Sequence, residues 1–141
     1  MNSINKKLLI ENIYTNIIKT SRNKSFFLDF NVDDTVEGRF DIIILHSFIV
    51  FNFFIHINDR KSSLPQMLFD HMFHDFDSSL REMGFGDIAV NKRMKQFIKA
   101  FYGRIKNYSE SLFRFNKLAD DTLLKKTILR NIYKDKEIHS N

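Results

Sequence analysis

The stretch FDIIILHSFIVFNFFIHI, residues 40–57, limits what this chain can fold into more than any other segment. It is apolar all round, and a helix of that kind has to be surrounded by other elements. The run between Asp41 and His56 is 14 residues and contains His46, Ser47 and Asn52. A membrane span needs about 20 mostly apolar residues, whereas runs of 10–14 are more often buried core helices. The β-branched triplet Ile42-Ile43-Ile44 would suit a strand, but the length of the segment favours a helix. It is expected to be a core helix around which the rest of the chain packs.

The remaining segments agree with that expectation. With 4 Gly and 1 Pro in 141 residues, the chain has few of the breakers an all-β fold needs. An all-α fold is predicted, a single compact domain over residues 1–141 with about five main helices. Leu9, Ile10, Ile13, Tyr14, Ile17 and Ile18 share one face of a helix over residues 4–20. Residues 22–39 read as a connector with a helical turn at Phe26-Phe27-Leu28. Asp34 and Glu37 have capping-box spacing before the apolar helix. Ser63, with Pro65 in the first turn and Gln66 reaching back, starts another helix that Gly84 ends. FGDIAV reads as a turn, with Asn91 as the cap of the next helix. Its inner stripe is Met94, Phe97, Ile98, Phe101, Ile105, Tyr108 and Leu112. A last helix over about 117–134 turns Leu124, Ile128, Leu129 and Ile132 inward, and residues 134–141 read as a frayed tail.

The two helices after Pro65 carry opposite charge. On a wheel of residues 64–84, Leu68, Phe69, Met72, Phe73, Phe76, Leu80 and Met83 form one arc. Asp70, His74, Asp77 and Arg81 lie opposite, next to His71, Asp75, Ser78 and Glu82. Residues 67–87 hold a net −4, while Ile88 to Tyr108 has no acid and holds +6 through Lys92, Arg93, Lys95, Lys99, Arg104 and Lys106. Mutual compensation across the hairpin is the plainest reading. A basic patch for RNA, lipid headgroups or an acidic protein is the functional one.

Catalytic chemistry finds little support. There is no Cys, hence no disulfide framework and no thiolate metal site. No nucleophile elbow, phosphate-cradling loop or HExxH spacing is present. Asp70, His74 and Asp77 could be imagined as a hydrolytic metal site. The i,i+4 pairs Asp70–His74, His71–Asp75 and Asp77–Arg81 account for the same residues on a solvated face. His46 and His56, in the apolar helix, read as satisfied core histidines. The N-terminal MNSINKKLLIENIYTNIIKTSR is broken by Glu11, Asn12 and Asn16 and has no small-residue cleavage site, so it does not read as a signal peptide.

GRFDIIILH, LFDHMFHDFDSSLREMGFGDIAV and KRMKQFIKAFYGRIKNY, in this order, resemble the ubiquinol–cytochrome c chaperone family, assembly factors of respiratory complex III. The resemblance covers about residues 10–133. It carries over Arg39, Phe40, Asp41 and His46 in the apolar motif. In the acidic motif it carries Asp75, Asp77, Arg81, Glu82, Gly84, Gly86 and Asp87; in the basic one, Lys92, Arg93, Phe101, Tyr102, Gly103 and Arg104. His71 and His74 depart from the family pattern. Gly103 is expected to permit close helix approach.

The resemblance implies an all-helical protein that catalyses no reaction. It holds newly made cytochrome b, its client, for haem acquisition and for assembly of the ubiquinol–cytochrome c reductase complex. Mitochondrial members work with a small partner protein and the ribosome, and carry an N-terminal extension that this sequence is read as lacking. No cofactor and no metal is implied. The partner-binding residues implied are Asp75, Asp77, Arg81, Glu82, Lys92, Arg93, Lys99, Tyr102 and Arg104. The expected location is the bacterial cytoplasm, the cytoplasmic face of the inner membrane, or the mitochondrial equivalent. The alternative is a basic module that binds ribosomes, RNA or an anionic membrane surface, with peripheral membrane association and no sequence-specific nucleic-acid contact.

Overall fold

A computed structural model describes residues 2–56 and 62–134. These form six helices: α1 (Ser3–Ser21), the one-turn α2 (Ser25–Leu28), α3 (Val36–His56), α4 (Leu64–Glu82), α5 (Asp87–Leu118) and α6 (Thr122–Tyr133). The predicted all-α domain of five main helices is what the chain adopts. The predicted tail lies outside the described residues from 135 onward.

α3 packs against α1, α4, α5 and α6, with the α4–α5 hairpin beside it. Its first half is enclosed: Phe40, Ile42, Ile44 and Phe48 are buried. The ring of Phe40 stacks on Phe97 of α5 at 4.3 Å, and Phe76 of α4 meets Phe40 edge-on at 5.6 Å. Such pairs add roughly 0.5–1.5 kcal/mol beyond the area they bury. Phe101 extends the cluster to Phe51, Phe69 and Phe73. Seven of the 16 phenylalanines thus serve one aromatic core shared by α3, α4 and α5. A smaller cluster of Val32, Ile42 and Ile132, with Phe26 and Phe27 against it, joins the connector to α6. There the Tyr133 hydroxyl donates to the Phe30 carbonyl at 2.8 Å.

The second half of α3 departs from the expected all-round burial. Ile49, Phe53 and Ile55 are 60–66% exposed, and His56 is exposed, not a core histidine. By length and composition alone α3 could cross a membrane, but the surrounded Phe40–Phe48 half makes it a core helix on that side. His46 is satisfied as expected. Its Nδ1 lies 2.8 Å from the Ile42 carbonyl and 3.2 Å from Ser21 Oγ, and its ring meets Phe26 edge-on.

Several helix ends differ from the sequence reading. Thr35, not Asp34, caps α3: its Oγ1 accepts from Gly38 N at 3.0 Å, while Asp34 takes the Arg39 Nε at 2.6 Å. Ser63 stands at the N-cap of α4 without a side-chain cap bond, and Gln66 donates forward to Asp70 at 2.8 Å. α5 begins at Asp87, so Asn91 lies within it and Ile88-Ala89-Val90 is helical. Asp87 in the first turn suits the helix dipole, and Val90 is fully buried. α5 runs on to Leu118, and Ala119 turns the chain at φ +51° before α6. The inner face of α6 includes the buried Thr127 and Asn131 with Ile132. Thr127 pairs with Ser111 of α5, hydroxyl to hydroxyl, at 2.8 Å.

Candidate functional site

The α4–α5 turn is built by Gly84, at φ +94°, where a side chain would be strained. Phe85 N donates back to the Leu80 carbonyl at 3.1 Å and closes the helix end. Around this turn Arg81 is held between two acids. Its Nε donates to Asp77 at 2.7 Å, and its Nη1 donates to Asp87. Asp87 first, then Asp77, raises the guanidinium's pKa further. Glu82 is exposed beside them. All of this is solvated, so it orders the turn more than it adds stability.

Asp75 does not lie on the solvated face. The Tyr14 hydroxyl of α1 donates to its Oδ2, and the Tyr14 ring packs edge-on against His71 at 5.0 Å. Burial, then Asp75, pushes the Tyr14 phenol's pKa well up. The His71–Asp75 pair read from the sequence is therefore replaced by a contact with α1. Among the described residues no three His, Asp or Glu side chains converge as metal ligands, so Asp70, His74 and Asp77 do not form a site.

On α5 the cations divide into two kinds. The arginines turn to acids elsewhere: Arg93 to Glu37 at 3.1 Å, Arg104 to Asp41 at 2.8 Å and Arg114 to Asp120 at 3.7 Å. Arg93 also lies 4.5 Å above the Phe85 ring. Lys92, Lys95, Lys99 and Lys106 are exposed and form no ion pair among the described residues. With Tyr102 they recur at steps of three and four, which puts them on one face. Tyr102 is 59% exposed and its ring stacks on Phe69 at 5.7 Å. The expected compensation between α4 and α5 is thus confined to Arg81–Asp87 at the turn; the α5 arginines compensate α3 and Asp120.

Of the nine residues expected to contact partners, Lys92, Lys99 and Glu82 are exposed with no ion pair among the described residues, and Tyr102 is exposed with its ring on Phe69. Asp77 and Arg81 hold the turn, Asp75 holds α1, and Arg93 holds α3. Arg104 turns inward to Asp41, whose side chain is 2% exposed, and keeps 21% of its own side chain exposed. Gly103 permits no close approach, since a Cβ there would meet nothing within 4 Å. Gly38 does, since a Cβ there would lie 1.9 Å from the Asp33 carbonyl oxygen. The sequence reading put Gly38 in the connector of residues 22–39, so nothing there marked it as a glycine within a helix.

Two clefts flank the start of α3. One, about 440 Å³, runs between α1, α3 and α4. The other, also about 440 Å³, runs under α2 and shares Arg22, Asp34, Arg39 and Ile43 with it. A third, shallower groove of about 300 Å³ lies between α1 and the exposed half of α3, with Ile13, Ile17, Ile49 and Val50 in its walls.

An all-helical protein with a charged turn, a free lysine face and an uncovered apolar helix end has the surfaces of a binding protein. The family model for the ubiquinol-cytochrome C chaperone matches residues 28–140, and the chain belongs to that family. Among solved structures, the crystal structure of the Cbp3 homolog from Brucella abortus is similar, with a TM-score of 0.77 and 34% identity over 94% of this chain and 71% of that one. No curated protein sequence matches significantly. The role is that of a ubiquinol–cytochrome c chaperone.

Proposed function

We propose that the protein binds newly made cytochrome b and supports its assembly into the ubiquinol–cytochrome c reductase complex, without catalysing a reaction. The observation that carries this reading is the uncovered half of α3. Ile49 and Phe53 are about 60% exposed on successive turns of a helix whose other half is core. Ile49 lines the groove against α1, which no Lys, Arg, Asp or Glu lines, and Phe53 is exposed one turn beyond it. An uncharged apolar groove of this kind suits an apolar segment of a membrane-protein client. Photo-crosslinking from positions 49 and 53 in membranes making cytochrome b tests it. Enrichment of cytochrome b over other membrane proteins is expected; equal capture of unrelated membrane proteins would sink the assignment.

A second reading concerns location. The row Lys92, Lys95, Lys99 and Lys106, without ion pairs among the described residues and on one face, suits an anionic surface. We place the protein at the inner-membrane surface on the side where cytochrome b is made, with this row against lipid headgroups or the ribosome. A small assembly partner belongs to the same proposal.

A further inference from the structure

The cleft between α1, α3 and α4 is used by neither the client groove nor the lysine row. Tyr14, Ile18 and Arg22 recur every fourth residue along α1 and line one wall, about 12 Å from end to end at 1.5 Å per residue. Ile18, Val36, Leu80, Met83 and Phe97 make most of its inner surface apolar. Its volume, about 440 Å³, falls within the range of pockets that hold small ligands, roughly 300–1,000 Å³. At the Tyr14 end the polar groups satisfy each other, the Tyr14 hydroxyl donating to Asp75. That end asks nothing polar of a ligand.

The Arg22 end differs. Asp34 is engaged by Arg39 and Glu37 by Arg93, so two of the three acids near the start of α3 are held by arginines, Asp33 being the third. Arg22, and Lys24 in the adjoining cleft, are exposed and form no ion pair among the described residues. The start of α3 adds the positive end of its dipole at Thr35 and Val36, which line the same cleft. The Asp34–Arg39 pair is itself solvated, with 60% and 56% of the two side chains exposed, so an incoming anion can share Arg39 at little cost.

We infer that this cleft binds an anionic lipid, its acyl chain lying along Ile18 and Phe97 and its carboxylate or phosphate held by Arg22, Lys24 and Arg39. The inference is independent of the client assignment, because it rests on a different cleft and a different charge cluster. Oleate and a single-chain oleoyl lysophosphatidylglycerol, each below its micelle concentration, are the probes, with oleyl alcohol as the neutral comparison. Binding to the full chain is followed by calorimetry, and its stoichiometry by native mass spectrometry.

One probe per chain is expected, with the alcohol at least tenfold weaker. Preference for oleate assigns a fatty acid as the natural source, and preference for the lysolipid a phospholipid. Arg22→Gln with Lys24→Gln should weaken binding at least tenfold, and Met83→Trp, on the exposed rim, should block it. Both variants change exposed side chains, and retained helical circular dichroism shows that they fold. Absence of saturable binding overturns the inference. So does binding that both variants leave unchanged, or a cleft that takes an apolar peptide and neither lipid.

Discussion

Asp41 of α3 and Arg104 of α5 face each other across the core at 2.8 Å, yet neither carboxylate oxygen of Asp41 is hydrogen-bonded among the described residues. The guanidinium lies off the hydrogen-bond direction, and its Nε is also unmatched. Burial raises the Asp41 pKa to about 6 against the opposing pull of Arg104. Tyr108, fully buried nearby, is raised to about 12, chiefly by burial. The folded chain therefore keeps a proton on Asp41 that the unfolded chain releases. Stability from this group is highest below the ordinary carboxylate value and declines as pH rises from about 4 to 6. The decline is on the order of 3 kcal/mol, at 1.36 kcal/mol for each pH unit. Asp41→Asn should flatten the pH dependence over that window. Urea unfolding at pH 4.5 and 7.5 checks it, and a variant with the wild-type slope would refute it.

Arg104→Met removes the counter-charge and leaves the carboxylate. A loss of about 3 kcal/mol is expected at pH 7.5. At pH 5 the loss should be smaller, because Asp41 then carries its proton. Equal losses at both values would mean that packing of the arginine stem, not charge, is what Arg104 supplies.

Gly38 and Gly103 should respond oppositely to alanine. At Gly38 the added carbon would meet the Asp33 carbonyl at 1.9 Å, a backbone atom that can yield only by moving the start of α3. A loss of about 2 kcal/mol or more is expected, in the range of overpacked sites. At Gly103 the site is open and helical, so Gly103→Ala should raise stability by up to about 1 kcal/mol. Thermal unfolding of both variants decides the matter, and a stabilised Gly38→Ala would overturn the geometry.

Tyr14→Phe leaves Asp75 without the hydroxyl that ties α1 to α4. A hydrogen bond to a charged acceptor contributes about 1.5–3 kcal/mol, so a loss near the lower figure is expected at this half-buried site. Asp75→Asn should cost less, because an amide oxygen can still accept the same bond. A double variant whose loss equals the sum of the two single losses would argue against direct coupling.

The periodicity of the apolar residues was enough to locate every long helix, because burial of one face repeats every three to four residues whatever the partner. Helix ends were less legible. Thr35 and Asp34 are both good caps, and only the position of Arg39, which takes Asp34, decides between them. The site was legible where residues act locally, as at Asp77, Arg81 and Gly84. It was opaque where the partner lies far along the chain. Asp75 finds Tyr14 and Arg104 finds Asp41, each more than sixty residues away, and wheel spacing carries no information about either. The exposed end of α3 was missed for the same reason: hydropathy shows that a residue prefers burial, not whether a neighbour supplies it.

The lysine row predicts salt-sensitive binding. Each lysine near an anionic membrane contributes about 1 kcal/mol, so Lys95→Gln with Lys99→Gln should weaken association with phosphatidylglycerol vesicles more than tenfold. Flotation at two ionic strengths measures this. Unchanged flotation would direct attention to the apolar end of α3 as the membrane-facing surface.

The division of labour among the cations of α5 makes attachment and folding answer to different conditions. Lysines in water lose their reach as salt shortens the screening length to about 8 Å near physiological strength. The Arg104–Asp41 contact, with its carboxylate buried, feels that change much less. Ionic strength can thus release the protein from a charged partner while the helices stay packed. The molecule can be handed from surface to surface without being unmade in between.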